Sequence, residues 1–341
     1  MAVIKSVKYF SISSLALVLG LSLIVSTNFQ AAELVVYSGR SDKFIKPVIK
    51  SFTEKTGIKV ILHSGKSTAL LNKLKVEGNR SKADLFISND AGNLQKGSDF
   101  QLFAEIPATI ANQVPVKFRS KSNDWLGLSA RARVLVVNTN VKMAAVDSVF
   151  DLAEPRFEGK LGITHSSNES YIAGTTVYLL SAGEAKTRQW LQGMKKNAKG
   201  KVFNKHSKIV KAVAKGQKYI GLVNHYYIYR HLDKNPNAPI KIIIPDQGDK
   251  DMGIAWNVAG IAITKSSKQK AQANKLIEFL LSDAGQKQFA EVNREYPIRS
   301  EVPAASMIPA IKNIKVSDVA MSELGAQRDR TIDLIEAVGM P

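Results

Sequence analysis

Between Leu34 and Asp90 a short apolar run followed by a polar turn occurs three times, and the first two lead into an amphipathic stretch. Leu34 to Tyr37 reads as a strand that runs into the turn Ser38-Gly39-Arg40-Ser41. Phe44, Val48, Ile49 and Phe52 then recur at helical spacing, and Gly57 ends that helix. Lys59 to His63 predicts a second strand, followed by Gly65-Lys66-Ser67-Thr68 and a helix with Leu70, Leu71 and Leu74 on one face. Ala83 to Ile87 predicts a third, ending in Ser88-Asn89-Asp90. Strand, polar turn and helix in repetition predict parallel α/β units. In such sheets ligands bind beyond the carboxyl ends of the strands, among these turns.

Further along, Arg131 to Asn138 carries the β-rich run Val134-Leu-Val-Val137 and reads as a strand crossing between lobes. Ile240 to Pro245 is a second candidate crossing, and Asn257 to Thr264 returns as a strand. Gln269 to Phe289 reads as one amphipathic helix, and a final helix lies near Met321 to Val338. A chain of 341 residues with 45% hydrophobic and 23% charged residues is an ordinary globular composition. There is no cysteine, which excludes disulfides, thiolate metal sites and a thiol nucleophile.

Residues 1–32 read as a signal peptide: Lys5 and Lys8 precede an uncharged, mostly apolar run from Ser11 to Ser26, with a polar exit to Ala31-Ala32. The mature protein is therefore expected in the periplasm. The formal charge of +19 suggests an anionic ligand or surface. Its lysines are scattered, and no helix-turn-helix, RNA-binding or zinc-finger signature accompanies them, so nucleic acid is not an expected partner.

Chemistry concentrates in Val223-Asn-His-Tyr-Tyr-Ile-Tyr-Arg-His231, which holds three of nine tyrosines and two of five histidines. Tyr219 to Val223 reads as a buried strand, with Asn224 capping a new helix. Tyr226 and Tyr227 then fall in the first helical turn and can both flank a point beyond its end. Two phenolates suit a hard, highly charged cation. The competing reading is amphipathic packing with wet hydroxyls.

These residues do not stand alone. Tyr37-Ser-Gly-Arg-Ser41, Ala83-Asp-Leu-Phe86, Asp90-Ala-Gly92, Leu128-Ser-Ala-Arg-Ala-Arg-Val134, Ser167-Asn-Glu-Ser-Tyr171, Asn204 to Gly216, Ile220 to Arg230, Asn257-Val-Ala-Gly260 and Glu295-Tyr-Pro297 form an ordered set. With it the chain resembles the periplasmic ferric-iron-binding proteins of bacterial ABC importers. The resemblance implies a two-lobed α/β periplasmic binding protein fold, with a two-strand hinge and an interlobe cleft. The lobes would be residues 33–135 with a return at 246–300, and 136–245; residues 301–341 would form a helical segment packing on the second lobe.

The resemblance also implies a function. Fe(III) would bind through tyrosine phenolates, with a synergistic anion such as carbonate, and pass to an inner-membrane permease, the binding protein acting as a monomer. Tyr226 and Tyr227 match the family's paired tyrosines, with Tyr171 and Tyr37 as further metal candidates. Arg131 and Arg133, two apart on one side of a strand, are the leading anion-site candidates, followed by Arg40 and Ser41. Tyr229 reads as packing, and His225 and His231 as structural.

The rival within this fold is an organic or anionic nutrient such as thiamine, phosphonate or a polyamine. The rival of another class is an exported enzyme. Against it, the chain has no His-Glu-x-x-His and no Gly-x-Ser-x-Gly motif.

Overall fold

The computed structural model describes residues 1–2 and 33–341, so the expected signal peptide lies outside the described residues apart from Met1 and Ala2. Among the described residues no helix is long and apolar enough to cross a membrane.

The N-terminal repeat forms as its pattern dictates: β1 (Glu33–Ser38), α1 (Asp42–Thr56), β2 (Lys59–Ser64), α2 (Ser67–Glu77), β3 (Leu85–Ser88) and α3 (Ala91–Asp99). Gly57 ends α1 at φ 71°, a left-handed conformation open to glycine at little cost. Short β4 (Phe103–Ala104) and α4 (Ala108–Ala111) lead to the long strand β5 (Leu126–Asn138), buried at every position.

Then come β6 (Leu161–Gly162), α5 (Glu169–Ala182), α6 (Glu184–Ala198), α7 (His206–Ala214), β7 (Ile220–Asn224), α8 (Tyr226–Leu232) and β8 (Ile240–Ile243). The chain returns through β9 (Trp256–Thr264), α9 (Lys270–Leu281), α10 (Asp283–Asn293) and β10 (Tyr296–Pro297), and ends in α11 (Glu323–Ala326) and α12 (Arg328–Val338).

β1 lies between β2 and β3, parallel to both. β9 and β5 continue that sheet antiparallel, so the sheet is mixed rather than purely parallel. β5 then changes partners. Its first half, through Ala132, pairs with β9; from Arg133 it pairs with β7, and from Leu135 also with β8 on its other edge. One strand thus belongs to two sheets, each covered by helices, in the two-lobed α/β arrangement. β8 does not itself cross: it stays beside β5, and the chain comes back next to Arg133 only at Ala255, after the loop 244–254.

Two expected helices are each broken in two. Ser282 separates α9 from α10, its hydroxyl accepting the Gly285 N–H (3.3 Å) as a new N-cap. Gln327 separates α11 from α12. The tail also bridges: α11 packs on α3, whereas α12 packs on α5 and α6.

Candidate metal centre

The change of partners in β5 is where the polar chemistry gathers. Arg131 stands opposite Asn257 on β9 and Arg133 opposite Asn224 on β7, so the two guanidiniums leave one face at the changeover. Arg131 is 4% and Arg133 3% exposed. Among the described residues neither makes a salt bridge, and Arg131 Nη2 and Arg133 Nε are buried with no partner. An unpaired buried charge costs several kcal/mol, on the order of what breaking a buried ion pair costs. Gly174 on α5 admits Arg133; a Cβ there would lie 3.3 Å from its Nε.

Asn224 is the last residue of β7 and does not cap α8; His225 holds the N-cap position, without a capping side chain. The Asn224 amide bonds instead to its strand neighbour and to the starts of α5 and α8. Asn224 Oδ1 accepts from Arg133 Nη1 (3.2 Å), while Nδ2 donates to Ser170 Oγ (3.1 Å) and to Tyr226 Oη (3.4 Å).

Tyr226 and Tyr227 open α8, their ring centroids 4.4 Å apart at 37°. Tyr226 is buried, and Tyr227 half-buried. The neighbouring Tyr226 phenol, and then burial, push the Tyr227 phenol above its usual pKa, with Arg131 pulling the other way. Two adjacent phenols resist ionising together; a multivalent cation between them would reverse that sign. Tyr171, in the first turn of α5, is 1% exposed, and its hydroxyl is buried without a partner. Burial pushes its phenol up, opposed by Arg133.

The structure leaves three sequence candidates out of this cluster. Tyr37 points toward α2, where its hydroxyl donates to the Glu77 carboxylate (3.1 Å) beneath Lys73. Strand alternation puts it on the face that α2 covers. Arg40 is committed to a buried ion pair with Glu295 (2.7 Å), and Ser129 bonds to both. Ser41 is exposed at the start of α1 and its side chain caps nothing.

His225 accepts the Ala132 N–H at Nδ1 (3.2 Å), and burial pulls its pKa down to about 3, so it serves as a neutral structural group. Among the described residues no three His, Asp or Glu side chains gather as a metal site.

Sequence reasoning missed Glu169. It lies in the first turn of α5 and accepts from Ser67 Oγ (3.3 Å) at the start of α2, which joins the two sides of the cleft. Burial, then the charge of Asp90, push its carboxyl up, while Arg328 and Arg131 oppose. Its position beside Asn168, which caps α5 through Ser170 N–H (3.0 Å), is the signal that could have found it.

Residues 48–316 match the family model for bacterial extracellular solute-binding proteins. The chain belongs to this family. Within it, a major ferric iron-binding protein of Neisseria meningitidis is 30% identical over 91% of this chain and 93% of its own. Iron uptake protein A1 of Synechocystis is 29% identical over 89% and 86%. A Trichodesmium family member solved in complex with iron and citrate ligands superposes with a TM-score of 0.79 at 31% identity, covering 91% of this chain and all of that one. The family consists of transport binding proteins rather than enzymes.

Proposed function

We propose that this chain is the periplasmic substrate-binding component of an ABC iron importer. It binds Fe(III) in the cleft beside β5 and delivers it to an inner-membrane permease. Tyr226 and Tyr227 supply phenolates, with Tyr171 as a third oxygen donor. Arg131 and Arg133 hold a synergistic anion such as carbonate.

The observation that carries this reading is the pairing of two adjacent phenols, their rings 4.4 Å apart, with two buried arginines that lack carboxylate partners. Phenolates match a hard trivalent cation. A guanidinium fork matches a planar oxyanion held by two hydrogen bonds. An anion there would satisfy the charge the fold leaves buried. The likeness to the Neisseria ferric iron-binding protein and the Synechocystis iron uptake protein supports iron as the cargo, and the Trichodesmium structure holds iron together with citrate.

The test is an absorption titration of metal-free mature protein with ferric citrate in bicarbonate buffer. A phenolate-to-iron band that saturates near one iron per chain, and that Tyr227→Phe shifts or removes, is the expected result. No band with excess iron would remove the ferric-phenolate reading.

A further inference from the structure

Four cations at the mouth of the site lack acidic partners. Lys43 Nζ lies 4.8 Å and Arg230 Cζ 4.9 Å from the Phe44 ring centroid. Phe44 meets Tyr226 edge-on at 5.8 Å, so both charges stand one ring away from a candidate iron ligand. Lys43 belongs to α1, on the side of the sheet containing β1. Arg230 and Lys234 belong to α8 and its end, and Lys205 immediately precedes α7, all on the side of β7. Lys205 adjoins His206, whose ring centroid lies 5.2 Å from that of Tyr227, and Lys234 lies two residues past the end of α8. Partial burial and then the charges of Arg230, Lys205 and Lys234 lower the Lys43 ammonium pKa.

Among the described residues none of the four makes a salt bridge. Acids on or next to these elements are already engaged: Asp42 with Lys46 (2.7 Å), Glu54 with Lys50 (3.6 Å) and Asp233 with Arg294 (3.1 Å). From Lys195 to Lys218 the chain contains no Asp or Glu at all, which extends the positive field away from Lys205.

We propose that Lys43, Lys205, Arg230 and Lys234 form a cationic collar that captures ferric iron while it is still chelated by an anionic polycarboxylate. The inference rests on the ferric reading of the site beneath it. The collar repels a hydrated ferric cation and attracts a complex whose outer carboxylates carry net negative charge. Such a complex would bridge the two sides of the cleft and offset the repulsion that Lys43 meets from the opposite side. Steering of this kind raises association rates by about tenfold to a thousandfold and weakens steeply with salt.

The experiment follows the rise of the phenolate-to-iron band in stopped flow with two donors, anionic ferric citrate and neutral ferric tris-acetohydroxamate. The wild type is compared with Lys43→Glu/Lys234→Glu and with Lys205→Glu/Lys234→Glu, each checked by circular dichroism and urea midpoint. The expected result is capture from ferric citrate slowed about tenfold at low ionic strength. It should also lose its salt dependence, with capture from the neutral complex unchanged. Equal slowing of both donors, or no change in either, overturns the collar while leaving the ferric site intact. A wild type that gives no band with either donor overturns the ferric site, and the collar with it.

Discussion

Two buried arginine centres lie on the same sheet and behave differently. Arg40 spends its terminal nitrogens on Glu295 and Ser129, and nearby Arg328 spends Nη1 on Asp90 (2.6 Å), which Asn257 also contacts. Arg131 and Arg133 are equally hidden from solvent but have no carboxylate within salt-bridge distance among the described residues. The first centre ties strands and helices together; the second leaves buried donors without partners. Burial alone therefore does not separate a structural arginine from one proposed to bind a ligand. The inventory of partners does.

The sharpest way to break this comparison is to strand the charge in the paired centre. Glu295→Gln should cost about 3–5 kcal/mol of unfolding free energy, because Arg40 is left buried without its counter-charge. Urea unfolding measures the loss, and the iron band of the surviving folded protein should be unaltered. In the other centre the loss should appear in binding. Tyr227→Phe is expected to weaken iron binding by at least about a hundredfold, more than the loss of an outer-shell partner usually costs, read by competition with citrate.

Arg131→Gln should lower iron affinity by about tenfold to a hundredfold, as for a group that supports a ligand. It should also abolish the response to added bicarbonate without lowering the urea midpoint. A drop in midpoint like that of Glu295→Gln would place Arg131 with the structural arginines. Tyr171→Phe is a smaller perturbation: a shifted band with affinity down about tenfold marks a ligand, and an unshifted band assigns the phenol to packing against Trp190. A separate effect, on stability alone, concerns His225. An unfolded histidine takes up its proton near pH 6.5, whereas this one does so only at about 3. The stability it contributes is complete above pH 6.5 and falls as pH drops toward 3, by up to about 1.4 kcal/mol per unit. His225→Gln should flatten that slope in urea midpoints measured at pH 7 and 5.

Much of this could be read from local pattern. The β1 to α3 repeat, the Gly57 stop and the β5 run are written in short-range periodicity, and the parity of Arg131 and Arg133 already placed them on one face. Parity also held the answer for Tyr37, one residue off from Val36 and Ser38, but which face α2 covers is a tertiary fact. The split of the Gln269 to Phe289 helix was hidden because both halves keep an apolar face against the same core. Nothing local marks Arg40 as spoken for, since Glu295 lies 255 residues away. The Asn224 amide looked like a cap because caps are what asparagines before helices usually provide; here a buried guanidinium competes for it.

The shared strand also orders events in time. β5 is made early, but its partners β7, β8, β9 and β10 are made long after it; Ser129 and Ala130 wait for Ala259 and Val258 on one edge and for Pro297 and Tyr296 on the other. Its ladders close loops of great length, and pairing of that kind is slow. The sheet of β1 and β9 cannot be completed until β10 has emerged, whereas the other needs the chain only as far as Ile243. The nascent chain thus keeps the first half of its central strand unsatisfied until Tyr296 and Pro297 have been made, so the strand that unites the two sheets is also among the last to be fully paired.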